Sequence, residues 1–468
     1  MLDFLGATLS VALPWSVGAL WVATLWRGDP DRRVLLCVGY GYLVGAFATT
    51  VLLRLFSFAG LHWNLAWTAG ALIGLGCAGW VAAKPLPSLR AAYRRSAASL
   101  AAMPPTSRKV FWLFLALSAI STAALACCVA WGLILPFDAL TQWADKSRVY
   151  YDHGRIMPFV DAAEWRRVTD TLHFWDSNPR YPATVPLLQV WTVLSLGHWD
   201  ESLMNIPWVA AVVALGCAFY AEVRRLGAGP AKSMACTYLL LSLPFLQIHV
   251  AVAGMADIFV AVAYGLAAFS LWHWTIGRQW QDAALAFVMA VFCATLKNEG
   301  SLWALTLAPA ILVALHRRAG LALTASIAVA VILFLAFGPN DLRIMGYRVD
   351  TRAANVILPV YEHMFVMDNW HLLWYAAIAI IVFNGRRLLG QALAPMTTTM
   401  LASAGFVLAV YFFSGATAGV AQENLVNRFL LHTVPALAFY LMLILRERER
   451  WMTVGDPAAP PTPAGSSA

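Results

Sequence analysis

Between Leu135 and Gly154 the chain reads LPFDALTQWADKSRVYYDHG, and ionisable groups crowd where an apolar run stops. Asp138, Trp143, Asp145, Lys146, Arg148 and Asp152 all fall in that stretch. Carboxylates beside aromatic faces suit sugar rings, which present C–H faces and a rim of hydroxyls. Three further clusters have the same character. In SNPRYPATVP, Ser177–Pro186, Tyr181 precedes a proline turn. In HVAVAGMADIFVAV, His249–Val262, Asp257 stands alone between apolar runs. In CATLKNEGSLW, Cys293–Trp303, Lys297, Asn298 and Glu299 interrupt two apolar stretches. Ionisable residues at membrane depth are costly, which makes them functional candidates by default. Each cluster also has a plainer explanation. These are an interfacial loop with solvated charges, a helix start at Pro182 and Pro186, a helix N-cap at Asp257 and a hairpin with a Lys/Glu pair. Two softer candidates are Arg343, Arg348 and Arg352 in the Gly338–Trp370 loop, and Arg428 in ENLVNRFLLHTVP. The planar fork of an arginine suits phosphate. Arg54, inside an apolar run, is read as snorkelling.

The elements that must position these residues are membrane helices. The chain is 61% hydrophobic and 12% charged, with a mean hydropathy of +0.68, against roughly 45–50% and about 25% for soluble chains. The composition implies an all-α polytopic membrane protein. At about 20 apolar residues per span, spans are expected near 4–26, 34–59, 62–83, 110–135, 202–223, 233–252, 258–275, 281–297, 300–316, 320–337, 370–384, 393–414 and 428–446, about thirteen in all. The first, Leu2–Trp26, has no basic leader and reads as a membrane helix, not a cleaved signal. Three regions follow: 1–109, three helices and a basic linker; 110–446, the helices bearing the polar clusters; and 447–468, a tail whose Pro/Ala/Gly/Ser composition predicts disorder.

Charge sets the orientation. KPLPSLRAAYRRSAASLAAMPPTSRK carries Lys84, Arg90, Arg94, Arg95, Arg108 and Lys109 and no acid, so it is expected on the cytoplasmic side. Propagated along the chain, this leaves twenty Lys and Arg in inner segments, Arg27, Arg32 and Arg33 among them, and five in short outer ones. The 136–201 loop and all four polar clusters then lie outside. Thr184–Gly197 is apolar but only fourteen residues long, and is expected to lie along the membrane with Trp191 and Trp199 at the interface. The net charge of +8 follows the same short loops, with no basic stripe or nucleic-acid motif. The seven cysteines sit in apolar runs without ligand spacing and read as packing residues.

Taken in order, FDALTQWADK, RYPATVP, GMADI, LKNEG and NRFLLHTVP resemble motifs of the GT-C superfamily of membrane glycosyltransferases. The likeness is to its bacterial protein-mannosyltransferase-like and aminoarabinose-transferase-like branch, and it covers about 110–446. Three spans ahead of the Asp-bearing loop depart from the family pattern. The resemblance implies a polyprenyl-phosphate-linked sugar as donor, with phosphate and sugar at the outer surface, and a lipid, glycan or protein acceptor; the high Ala, Arg and Trp usage without a eukaryotic-type retention signal leads to the expectation of a bacterial inner membrane. The resemblance implies Asp138 as general base, with Asp257 and Glu299 as further catalytic carboxylates. Trp143, Lys146, Tyr181, Lys297, Asn298 and Arg428 would bind substrate. The leaving phosphate would be met by Arg428 or Lys297, or by a divalent metal (Mg or Mn) on Asp257 and Glu299. Lys146 is alternatively expected to pair with Asp138. A transporter or flippase of lipid-linked sugar is the competing expectation.

Overall fold

The computed structural model describes residues 2–26, 33–84, 91, 94, 97–168, 172–339, 342–344, 347–349 and 353–454. Arg27, Arg32, Arg90, Arg95 and Arg352, and the part of the expected disordered tail beyond Val454, lie outside the described residues; residues 447–454 of that tail continue the last helix instead. The chain is 78% helical and all-α, a polytopic membrane protein by helix length and composition. Among the described residues the strands are two short pairs, Phe159–Val160 with Phe174–Trp175 and Leu342–Ile344 with Tyr347–Val349.

Among the described residues ten helices are long and apolar enough to span, or eleven if one bent pair counts as a span. All thirteen expected segments are helical, but two are short. Trp280–Leu296 has 17 residues because Lys297 turns fully extended, at φ −154° and ψ 154°. Leu373–Phe383 has only 11, starting after a turn in which Asp368 and His371 both adopt φ 48°. The expected 233–252 span is broken into Pro230–Leu241 and Pro244–Ala251, bent by 62°. Pro244 explains the break, since proline drives the residue before it out of the helical region, and Leu243 sits at ψ 124°. Likewise the helix expected to end at 135 ends at Trp131, with Gly132 at ψ 145°. Residues 132–136 run on without helix to Asp138.

The Thr184–Leu196 helix corrects another expectation. It lies inside the protein and is not an exposed interfacial helix: twelve of its thirteen residues are buried. Trp191 is 1% exposed and donates its indole N–H to the Ser10 carbonyl at 2.8 Å, so it is no interfacial anchor. A helix apolar on every side belongs in a core.

The first two helices, Leu2–Leu25 and Arg33–Phe58, are bound closely into this core. Gly18 sits against the backbone of Gly41 and Gly45, and Gly39 against Ala218 of the Ile206–Arg225 helix. Small residues let membrane helices approach to backbone contact. At the centre stands Asp257–Gly277, 89% buried, flanked by Ile206–Arg225, Trp280–Leu296 and the last helix, Val426–Val454. Its far end is fastened by a buried polar knot. There Glu222 accepts from Tyr40 Oη at 2.7 Å and lies 2.7 Å from His273 Nε2, while Arg225 joins Glu222 to Asp282.

Candidate functional site

Asp257 is the first residue of the central helix, one position past its N-cap Ala256, so it is not the cap. Its carboxylate, 0% exposed, instead gathers cations. Oδ1 accepts from Lys297 Nζ at 3.1 Å and meets His432 Nε2 at 3.0 Å. Oδ2 accepts from Arg428 Nε at 3.2 Å and Nη2 at 3.0 Å, and His249 Nε2 lies 3.9 Å away. The remaining arm of Arg428, Nη1, donates to Asp138 Oδ2 at 2.6 Å. One guanidinium thus spans two carboxylates that are 119 residues apart in sequence, one of them reachable from solvent: Asp138 is 29% exposed and Asp257 0%.

Local structure explains how each group arrives. Asp138 opens a π-helical turn, Ala139–Ala144, and Gln142 Nε2 reaches back to its Oδ1 at 3.5 Å. Gly254, at φ +111°, lets the loop before Asp257 press against Ala139; only glycine adopts that backbone readily. Trp208 Nε1 fixes the same loop through the Met255 carbonyl at 2.8 Å. Lys297 is the single extended residue between two helices, and Glu299 follows in the first turn of Asn298–Leu305. Arg428 and His432 are four apart on the last helix, hence on one face.

Glu299 continues the network. Its Oε1 is 4.0 Å from Lys297 Nζ and accepts from Tyr181 Oη at 3.4 Å. The Tyr181 ring lies nearly parallel to Trp143, with centroids 5.3 Å apart. Burial, then the Glu299 charge, pushes the Tyr181 phenol well above its ordinary value, so it remains a donor at physiological pH. Of the nine residues expected at the site, Asp138, Asp257, Glu299, Trp143, Tyr181, Lys297 and Arg428 form one connected cluster. Asn298 begins the helix carrying Glu299 and is half-buried beside it.

Lys146 does not pair with Asp138. It is fully buried against Asp176 at 3.1 Å and donates to the Asn178 carbonyl at 2.9 Å. Burial lowers its pKa while Asp176 opposes that shift. It fastens the 136–201 loop, tying the helix that follows the π turn to Asp176 and Asn178. Arg54 does not snorkel: it donates to Thr184 Oγ1 at 2.6 Å. His249 and His432 were missed in the sequence. The spacing from Arg428 was the available signal for His432; for His249 there was none beyond its place in the Asp257 segment.

Asp257 and Glu299 are a poor pair for a divalent metal. Both Asp257 oxygens already face Arg428 or Lys297, and a dication there would sit against two fixed positive charges. Asp138, Asp257 and Glu299 hold the two permanent cations in place, and the Nη1 arm of Arg428 reaches Asp138 at the partly open edge. Comparison with protein-family models, with curated proteins and with solved structures returned no match.

Proposed function

We propose that this chain is a membrane glycosyltransferase of the GT-C type, transferring a sugar from a polyprenyl-phosphate donor to an extracytoplasmic acceptor. The supporting observation is the Arg428 bridge. Residues from four separate segments meet around one guanidinium that touches both a buried and a partly open carboxylate. In this reading the donor phosphate competes with Asp138 for the fork of Arg428, a geometry arginine favours. Asp138, so released, takes the proton of the acceptor hydroxyl as its oxygen attacks the anomeric carbon. The C–O bond to phosphate breaks, and the leaving phosphate keeps the electron pair beside Arg428 and Lys297. Trp143 and Tyr181 offer the sugar a stacked aromatic wall. Inversion with one base follows the logic of inverting glycoside chemistry. The remaining parts of the reading are thirteen crossings with the short helices included, and a bacterial inner membrane with this cluster outside.

The deciding experiment incubates the purified chain with polyprenyl-phosphate sugars and follows release of polyprenyl phosphate. Turnover by the wild type and not by Asp138→Asn supports the reading; equal rates reject Asp138 as base. One observation favours a transporter instead: the 62° break at Pro244, placing His249 near Asp257. Broken helices at buried charges are common in transporters. Uptake or flipping of the lipid-linked sugar in vesicles, without hydrolysis or transfer, would favour that second reading.

A further inference from the structure

A separate polar cluster borders the start of the last helix, beside Arg428 in sequence but on another face. His363, 7% exposed, lies in a second π-helical turn, Glu362–Val366. Its Nδ1 contacts Asn427 Nδ2 at 2.8 Å and Asn369 Nδ2 at 3.3 Å. The orientation of the Asn427 amide is forced. Trp370 Nε1 is 2.9 Å from Asn427 Oδ1, and an indole can only donate, so Oδ1 must face it. The amide nitrogen is left to donate to His363, and Nδ1 must accept. The ring is therefore neutral with its proton on Nε2. Protonating Nδ1 would set donor against donor in a buried site, a costly arrangement.

The Nε2–H points toward Glu423, whose Oε2 lies 3.5 Å away, yet Nε2 has no hydrogen-bond partner among the described residues. Buried donors left unpaired are rare and call for an explanation. Glu423 is 44% exposed on its side chain and adopts φ +65°, which few non-glycine residues do. A fixed neutral donor and an accessible carboxylate, slightly too far apart for each other, fit a group that both donates and accepts. A hydroxyl does both.

We propose that His363 and Glu423 hold a hydroxyl of a carbohydrate ligand: His363 Nε2 donates to its oxygen and Glu423 accepts its proton. That the ligand is a carbohydrate rests on the transferase reading; the locked tautomer of His363 does not. Glu423 is the charged group facing the ring, while Asn369, Asn427 and Trp370 packed around it are neutral.

The test uses the full chain in lipid nanodiscs with ¹⁵N-labelled histidine, and His363→Gln identifies the His363 signals by difference. The expected spectrum shows a neutral ring protonated on Nε2. Methyl glycosides of mannose, glucose and galactose shift that Nε2 signal, and Glu423→Gln weakens the response about tenfold or more. Asn427→Asp, whose carboxylate accepts where the amide donated, puts a proton on His363 Nδ1. A wild-type ring protonated on Nδ1, or unchanged in Asn427→Asp, overturns the tautomer and the proposal with it. A correct tautomer that responds to none of the glycosides overturns the hydroxyl assignment. Because neither readout needs turnover, a failed donor assay with an intact glycoside response would sink the transferase and not this site.

Discussion

At the scale of single residues, Asp138 and Asp257 share one arginine and should fail differently when changed. Asp138 is partly open, and its loss leaves Arg428 still paired with Asp257 through two hydrogen bonds. Asp138→Asn should lower turnover by about 10²- to 10⁴-fold, the range for a lost general base, and leave thermal unfolding where it was. Asp257 lies at 0% exposure beneath Lys297, Arg428 and His432. Neutralising it strands two buried cations, an effect of about 3–5 kcal/mol for a broken buried pair. Asp257→Asn should therefore lower the unfolding temperature markedly, whatever it does to activity. Thermal denaturation of both variants in detergent checks the contrast. If Asp257→Asn melts with the wild type, the carboxylate is not the keystone of the cluster.

At the scale of elements, the site depends on how closely the loop before the central helix meets the π turn after Asp138. Gly254 makes that approach possible twice over, through φ +111° and through the absence of a side chain against Ala139. Gly254→Ala should destabilise by about 1–3 kcal/mol from backbone strain alone and displace Asp138 from Arg428 as well. Adding Ala139→Gly relieves the contact and not the strain, so the double variant should regain turnover more fully than stability. Unfolding and turnover measured side by side test this; equal recovery of both would place the whole effect in the contact. The same elements show what could be read in the sequence. Charges in apolar runs marked Asp138, Asp257, Lys297, Glu299 and Arg428 because burying them is expensive wherever they fold. Their convergence followed only in outline, from a common side of the membrane. The partner of Lys146 was not legible: one π turn decides which way it faces, and propensity carries no signal for that turn. The buried Thr184–Leu196 helix was misjudged for a related reason, since length and hydropathy cannot tell lipid from protein as its apolar surroundings.

At the scale of the molecule, the central helix carries a buried ionic cluster at each end. Asp257 is its first residue and His273, against Glu222, lies sixteen residues on, about 24 Å along the axis at 1.5 Å per residue. Just beyond lies Arg278, which closes the helix in a left-handed cap. That length approaches the roughly 30 Å hydrocarbon layer, so the two clusters belong near opposite faces, with the intervening helix wrapped in protein. At the end marked by Glu222, Arg224 and Arg225 close its helix and Arg278 caps the central one, while the basic residues at the Asp257 end, Lys297 and Arg428, are both bound to carboxylates. On the proposed reading, the positive-inside bias puts the Arg428 cluster outside. Two engineered cysteines check this directly. Ser177, in the outer loop, and Arg386, in the short turn after Leu373–Phe383, are both exposed. A membrane-impermeant maleimide applied to intact cells should label Ser177→Cys, and should reach Arg386→Cys only after permeabilisation. Because Cys77, Cys127 and Cys128 are also exposed within the apolar helices, a cysteine-free parent supplies the baseline. The reverse labelling pattern would put Asp138 and Arg428 in the cytoplasm, where an extracytoplasmic acceptor never meets them.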